Sequence, residues 1–255
     1  MDLSVTGAKI YFRITIGSLK IDITQTTISL LAVTVILCII AAVFGRKLTK
    51  RPHGKQVVAE KLVTMLYGMV EQTMGKHNMG FAPYIGTLFL SSIVGSLIGM
   101  TQIFRSTTQD LMVTLAWALI TTGLVWYHNI KNCGFFGWLK GFTEPVVVMT
   151  PMNVISEIAQ PFSLAFRHFG NVAGGGVLTS IIYASLSALS GIIFGWLPGI
   201  LGELPYFAAG IPAILSLYFD LFSAFVQALV FSLLTMVYVG AANPPPEPAV
   251  KSEEA

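Results

Sequence analysis

The most constraining feature of this chain is a long apolar stretch in its second half that holds very few charged residues. Arg167 is the only charged residue between Glu157 and Glu203. Asp220 is in turn the only one between Glu203 and Glu247. Because about 20 apolar residues are enough for a helix to cross a bilayer, this stretch predicts long membrane-embedded helices. An arginine there keeps its charge and costs at least about 2.5–3.5 kcal/mol to insert, so Arg167 predicts a functional site.

The composition places the whole chain among polytopic membrane proteins. Apolar residues make up 54% of it and charged residues only 11%, whereas a soluble domain carries about 25% charged residues. A net charge of +3 is too small to indicate a nucleic-acid partner. Cys38 lies in an apolar run and Cys133 in a connector, so the sequence predicts no disulfide framework, no metal cluster and no cofactor.

Three apolar runs in the first half predict three membrane crossings, at residues 26–44, 81–104 and 111–127. Residues 55–75 carry apolar side chains at helical spacing beside a charged face. This pattern predicts an amphipathic helix that lies on the membrane surface. The mixed segment 1–25 predicts a short strand or an extended segment.

A basic cluster sets the predicted orientation of the chain. It follows the first crossing and consists of Arg46, Lys47, Lys50, Arg51 and Lys55. The positive-inside rule places this end in the cytoplasm, so that segment 1–25 is extracytoplasmic. With five crossings in total, the C-terminus is also expected in the cytoplasm.

Two long helices are predicted for the last part of the chain, at about 146–186 and 208–240. The apolar run is too long for two perpendicular spans joined by a tight turn, so we expect both helices to be tilted and paired as a hairpin. The connection between them, 187–207, is rich in Gly, Ser and Pro. A run of prolines stops the second helix, and residues 243–255 are predicted to form a disordered tail.

The predicted fold class is therefore an all-α integral membrane protein with five crossing helices and one amphipathic surface helix. Residues 26–142 form its peripheral part, which includes the surface helix and the connector Asn132–Phe142, expected at the membrane interface. Residues 143–242 form the helix hairpin. We expect the functional site to lie in that hairpin, because its charged residues are isolated.

Polar side chains follow one face of each long helix. They are Gln160, Ser163, Arg167 and Asn171 on the first helix, and Asp220, Ser223 and Gln227 on the second. Within each set the spacing of three, four or seven residues brings the side chains to a common face. In an antiparallel hairpin Arg167 and Gln227 lie at matching depth, each about 30 Å from the bend. The sequence therefore predicts that the two polar faces meet.

The same residues carry a family resemblance. Residues 163–171, Ser-Leu-Ala-Phe-Arg-His-Phe-Gly-Asn, resemble the S-L-x-x-R-L-F-G-N signature of subunit a of the rotary F-type ATP synthase. His168 takes the place of the usual leucine, and we expect it to be a packed or lipid-interface residue. Residues 227–238 are similar to the family's Q-A-x-x-F and L-T-x-x-Y pattern, which ends here at Tyr238.

This resemblance implies a non-catalytic stator subunit in a bacterial plasma membrane. Its implied partners are the lipid bilayer, a rotating c-ring, a b-subunit peripheral stalk and the transported proton or sodium ion. The residues implied to carry ion translocation are Arg167, Asp220, Gln227, Asn171, Ser163, Gly176, Ser223 and Tyr238. In the family a titratable pair lines the inlet, and the equivalent positions here hold Gly176 and Asp220. We therefore expect Asp220 to line an outward half-channel, and Ser163 and Asn171 to line an inward one.

Two other interpretations of the sequence stay open. A secondary transporter or channel could use Arg167 and Asp220 as a substrate-binding ion pair, although no internal repeat is apparent. An intramembrane enzyme could use His128, His168 and Glu144. No H-E-x-x-H or G-x-S-x-G arrangement is present to support that chemistry.

Overall fold

The computed structural model describes residues 10–16, 19–46, 49–50, 53–101, 103–144, 146–196 and 206–245, with backbone only at 14, 16, 19–21, 208–217, 219 and 220. Two strands come first, β1 (Ile10–Ile16) and β2 (Leu19–Thr24). Six α-helices follow in the described residues: α1 (Gln25–Gly45), α2 (Lys55–Met74), α3 (Ala82–Leu97), α4 (Leu111–Gly141), α5 (Thr150–Phe194) and α6 (Tyr206–Ala242).

Within the described ranges, five helical segments are long and apolar enough to cross a membrane. They are Gln25–Gly45, Lys76–Thr101, Leu111–Gly141, Val147–Phe194 and Leu221–Ala242. Helix α2 is not among them, because lysines and glutamates interrupt its apolar positions. The predicted class of an all-α membrane protein with five crossings and one amphipathic helix is therefore confirmed.

The N-terminal segment forms a β-hairpin, which confirms the expectation of a strand. β1 pairs antiparallel with β2, and Arg13 donates to the Asp22 carboxylate from Nε at 2.5 Å and from Nη2 at 3.2 Å. The hydrogen bond from Arg13, together with its charge, lowers the pKa of Asp22 below its ordinary value. The hydroxyl of Thr24 accepts a hydrogen bond from the Thr27 amide at 3.4 Å and thereby caps α1.

Helix α4 extends further than the sequence predicted. We expected the crossing to end at Tyr127 and the connector Asn132–Phe142 to be interfacial, but helical structure continues to Gly141. Gly134 interrupts it with a φ of 72°, a left-handed conformation that glycine adopts at little cost. The connector is therefore a helical extension that changes direction at one glycine.

Helix α5 corrects the predicted bend. The break was expected to begin at residue 187, yet the helix continues to Phe194. Its 45 residues extend about 68 Å at 1.5 Å per residue, more than twice the apolar thickness of a bilayer. Helix α6 agrees closely with the predicted 208–240. Residues 197–205 of the predicted connection and 246–255 of the predicted tail lie outside the described residues.

The buried hydroxyl of Ser190 connects the last turns of α5 to the start of α6. Ser190 is fully buried and accepts a hydrogen bond from the backbone amide of Tyr206 at 2.9 Å. That amide belongs to the first residue of α6, where backbone donors have no partner within the helix. The last turns of α5 therefore supply a cap for the start of α6.

The chain divides into two compact units. The first comprises Met1–Arg46, Leu88–Ala118 and Phe162–Phe231, and the second comprises Lys47–Thr87, Leu119–Pro161 and Ser232–Ala255. The first unit contains the Arg167 signature. The core of the second unit consists of buried residues from α2, α3, α4 and α6: Val70, Met74, Ala82, Ile85, Val125, Met236, Val239 and Ala242.

Asparagines close the end of α6 in this second unit. Asn78 is buried, and its amide donates to the backbone oxygens of Met74 at 2.9 Å and Asn243 at 3.0 Å. The side chain of Asn243 donates back to Asn78 Oδ1 at 2.6 Å. Asn132 donates to the carbonyl of Ala242 at 3.0 Å. Carbonyls at the end of α6, which no helical amide can reach, are thus paired by side chains.

Candidate functional site

The polar face of α5 is exposed along two helical turns. Ser163, Arg167 and Asn171 recur every four residues and are all exposed. Among the described side chains, none forms a salt bridge with the guanidinium of Arg167. A charge that faced lipid there would be costly, so this face requires water or a polar partner. The described geometry thus matches the predicted open face.

A hydrogen bond joins the polar faces of α5 and α6. Asn171 Nδ2 donates to Gln227 Oε1 at 2.7 Å, and Gln227 is only 3% exposed. Arg167 lies one turn from Asn171, about 6 Å along the helix axis. The predicted contact between the two polar faces is present, and it places Gln227 beside Asn171, one turn from Arg167. The equal depth predicted for Arg167 and Gln227 stays a prediction. Gln227 Nε2 is buried without a described hydrogen-bond partner.

A cavity of about 140 Å³ adjoins this contact inside the first unit. Its polar lining residues are Ser96, Ser106, Gln109, Asn171, Thr179 and Ser223, and the others are Gly99, Met100, Val172, Gly175, Gly176 and Ala224. The volume is sufficient for several water molecules, and the polar lining offers them hydrogen bonds. The structure thus brings together three predicted site residues, Asn171, Gly176 and Ser223, around one polar cavity.

Two predicted site residues are not part of this arrangement as described. Asp220 lies within the backbone of α6, three residues before Ser223, but its side chain lies outside the described residues. Tyr238 packs against the apolar core of the second unit and does not line the cavity. The proximity that we predicted between Gly176 and Asp220 therefore stays a prediction.

His168 is a packed residue, as one of the two predicted alternatives had it. It is fully buried, and its Nε2 lies 3.1 Å from the hydroxyl oxygen of Ser92. The rings of Trp117 and Phe231 contact it edge-on, with centroid separations of 6.1 and 5.3 Å. The substitution of the signature leucine by histidine is therefore matched by a polar partner on α3.

Part of the cavity wall comes from outside the two long helices and was not predicted from the sequence. Ser96 belongs to α3, and Ser106 and Gln109 belong to the segment between the second and third predicted crossings. The signal available in the sequence was a cluster of hydroxyl residues, Ser106, Thr107 and Thr108, all of them fully or almost fully buried in the structure. No local pattern indicates that Ser106 and Gln109 line a cavity beside α5.

Among the described residues, no group of three or more His, Cys, Asp or Glu side chains could hold a metal ion. His128, one of the three residues considered for enzyme chemistry, forms a hydrogen bond through Nδ1 with the Leu124 carbonyl at 2.9 Å. Both cysteines are free and exposed. The site combines a polar contact between α5 and α6, one exposed arginine and a polar cavity, an arrangement typical of membrane proteins that move ions.

Comparison with known proteins identifies the family. Residues 26–240 match the family model described as ATP synthase A chain. The chain is 32% identical over 238 residues to "ATP synthase subunit a, sodium ion specific" of Propionigenium modestum, covering 88% of this chain and 75% of that protein. It is 33% identical over 236 residues to ATP synthase subunit a of Listeria monocytogenes, covering 88% and 94%. A Bradyrhizobium relative, ATP synthase subunit a 2, is 28% identical over 222 residues, covering 87% and 90%.

The chain therefore belongs to the ATP synthase subunit a family. It is an all-α membrane protein of an ATP synthase, with a role in ion transport linked to ATP synthesis. The family resemblance that was seen in residues 163–171 and 227–238 is confirmed, and the match extends over residues 26–240.

Proposed function

We propose that this chain is the stator subunit that transfers protons or sodium ions to and from a rotating c-ring, with Arg167 as its essential residue. It contributes no catalytic group of its own to ATP chemistry. The observation that carries the proposal is the exposed guanidinium of Arg167, which has no described counter-charge and lies one turn from the Asn171–Gln227 contact. A cation held in this way is suited to a carboxylate that arrives from a partner.

The arginine acts through charge. At about 4 Å, a fixed cation stabilises a carboxylate by roughly 4 kcal/mol at an effective dielectric constant near 20. This energy lowers the pKa of a ring carboxylate by about three units, so the carboxylate releases its ion beside Arg167. The same charge repels a proton or sodium ion that would otherwise pass directly across the membrane. Ions are thus obliged to travel with the ring.

The cavity supports an outward half-channel next to the arginine. Asn171, Gly176 and Ser223 line it, and Asp220 belongs to the same helix one turn before Ser223. We assigned Asn171 to the inward path from sequence, but its place in this cavity supports the outward path instead. Ser163, which is exposed one turn on the other side of Arg167, is left to line the inward path.

The remaining parts of the proposal concern the surroundings of the subunit. We place it in a bacterial plasma membrane, with segment 1–25 outside and the C-terminus in the cytoplasm, as the basic cluster after α1 indicates. A b-subunit stalk holds it against the torque of the ring. We also propose that the chain divides by function into segment 1–25, the peripheral helices 26–142, the ion-translocating hairpin 143–242 and the tail 243–255. The name of one relative specifies sodium and that of another specifies no ion, so the proposal includes both protons and sodium ions.

The alternative of a secondary transporter receives less support. That interpretation places Arg167 in an internal ion pair that binds a substrate, whereas the arginine is exposed on an open helix face. Family membership over residues 26–240 also favours the stator.

The test of the proposal is the substitution Arg167→Ala in the assembled complex. We expect it to abolish ATP synthesis driven by an imposed ion gradient in membrane vesicles, with normal amounts of all subunits. Arg167→Lys should also lose most activity, because a compact, strongly hydrated ammonium does not replace a planar guanidinium. Arg46→Ala is the matched control, since Arg46 is an exposed arginine at the end of α1. Normal synthesis by the Arg167→Ala complex is the result that refutes the stator proposal.

A further inference from the structure

The segment before α4 is fixed onto α3 by a network of buried hydroxyl groups. Ser106 Oγ donates to the carbonyl of Gly95 at 3.1 Å, and it lies 2.9 Å from Thr108 Oγ1. Thr108 Oγ1 is in turn 2.8 Å from Ser96 Oγ. Because these groups are buried and bonded to each other, the segment has a defined position on α3.

Two glycines allow this close contact. A Cβ atom at Gly95 would overlap the hydroxyl of Thr107, and one at Gly99 would lie 2.7 Å from Ser106 Cβ. Any larger residue at either position therefore forces the segment away from α3. The glycines and hydroxyls together present the next residue, Gln109, to the cavity.

Gln109 occupies the cavity wall opposite the glycines of α5. Its Nε2 lies 3.4 Å from the position that a Cβ atom would take at Gly176. Gly175 and Gly176 contribute no side chain to the cavity, which leaves this space to Gln109. Among the described residues, the side-chain amide of Gln109 forms no hydrogen bond within the chain.

The other polar lining groups are largely committed elsewhere. Asn171 Nδ2 donates to Gln227, and Ser96 and Ser106 belong to the hydroxyl network. Gln109 has the longest polar side chain left to contact the contents of the cavity, and a carboxamide offers both donors and an acceptor. A chain of water molecules, or a partly hydrated cation, needs such donors and acceptors along its path.

We propose that Gln109 is a positioning residue of the ion path, which holds the water or hydrated ion in the cavity beside Gly176. This inference rests on the proposed stator function and adds to it a polar group from outside the two long helices. Gln109 orients the transported species but does not exchange a proton itself, because a carboxamide does not titrate in the accessible pH range.

The first test is Gln109→Leu in vesicles, measured as gradient-driven ATP synthesis by the complete ATP synthase. Passive conductance of protons and of sodium ions is measured after the catalytic part of the complex has been removed. We expect both to fall by about tenfold, the effect of one lost hydrogen bond on a transport barrier. Gln72→Leu is the matched control, because Gln72 is exposed on α2 and does not line the cavity. Unchanged conductance in an assembled Gln109→Leu complex overturns the inference. If Arg167→Ala still abolishes synthesis, the stator function survives that result.

Two further variants separate a role in transport from a role in folding. Gln109→Glu keeps the length of the side chain and adds a titratable group, so it should retain conductance and change its pH profile. Adding Gly176→Glu to the Gln109→Ala variant should restore conductance, because the new carboxylate extends into the space left by the Gln109 amide. A structural role predicts neither the changed profile nor the restoration, and the absence of both refutes the inference even where Gln109→Leu assembles poorly.

Discussion

The contact between His168 and Ser92 makes a prediction that can be expressed as a free energy. His168 Nε2 and Ser92 Oγ are 3.1 Å apart, and both residues are at most 1% exposed. Ser92→Ala removes one partner and leaves a second ring nitrogen buried without a hydrogen bond, since Nδ1 already has none described. The cost expected for such an unsatisfied buried group is about 1–3 kcal/mol.

A double-mutant cycle isolates the interaction. His168→Leu introduces the leucine that is usual in the signature, and this side chain suits the apolar space between Trp117 and Phe231. With both substitutions present no orphaned partner remains, so the double variant should be less destabilised than the sum of the single variants. The coupling energy should be about 0.6 kcal/mol, the average for hydrogen bonds between membrane helices, and at most about 1.7 kcal/mol.

The measurement is equilibrium unfolding by a denaturing detergent in lipid–detergent micelles. Ser91→Ala is the matched control, because Ser91 is the neighbouring serine on α3 and has no hydrogen bond described for its side chain. Its expected effect is within about 0.5 kcal/mol. Strictly additive single effects, with a coupling energy below about 0.3 kcal/mol, would show that the histidine and serine do not stabilise each other.

Three further predictions concern the inlet, the glycine contact and the N-terminal hairpin. Asp220→Leu should slow gradient-driven ATP synthesis in vesicles at least about tenfold. Combining Gly176→Glu with Asp220→Gly should recover part of the synthesis. Full synthesis by Asp220→Leu contradicts the inlet assignment. Gly95→Ala should destabilise the protein by about 1–3 kcal/mol, because the added methyl group overlaps Thr107. Gly123→Ala is the control, since open space surrounds Gly123, and it should not destabilise the protein. Equal thermal stability of the two variants contradicts this reasoning. Because the pKa of Asp22 is lowered from 3.8 in the folded hairpin, its ion pair contributes fully above that ordinary value and is lost as pH falls through the lower folded value. Protease resistance of the segment should follow this pH dependence in the native chain and not in Asp22→Asn.

The sequence was sufficient to predict the membrane helices because lipid leaves few alternatives. A run without charges must be helical where it crosses the bilayer, since no water is present to satisfy its backbone groups. Helix α1 was predicted within one residue at each end, and α6 within two. The polar faces were equally predictable, because a helix of known period determines which side chains share a face.

Helix ends were less predictable where tertiary contacts override local preference. Glycine and serine after residue 186 favour a break, yet α5 continues to Phe194, and the Ser190 hydroxyl pairs with the amide of Tyr206 at the start of α6. Gly134 does not end α4 either, but it changes the direction of the helix. Neither result could be obtained from composition alone, because each depends on a partner or a dihedral angle that local residues do not specify.

The cavity shows the same limit for the site. Asn171, Gly176 and Ser223 were predicted from helix period and family resemblance, whereas Gln109 was not. Its position depends on a hydroxyl network and on the absence of a side chain at Gly95. Contacts of this kind join residues with no fixed spacing, so they leave no periodic signal in the sequence.

The asparagine contacts at the end of α6 have a mechanical consequence. Under the proposed function, each passing ring carboxylate pulls sideways on the stator, and the reaction force must leave α6 through its attachments. Asn78 and Asn132 donate to the carbonyls of Asn243 and Ala242, and the Asn243 side chain donates back to Asn78, so several hydrogen bonds share the load. Because the force is divided among several hydrogen bonds, each bond is stretched only slightly. The end of the helix should therefore keep its position under repeated pulling better than it would with a single contact.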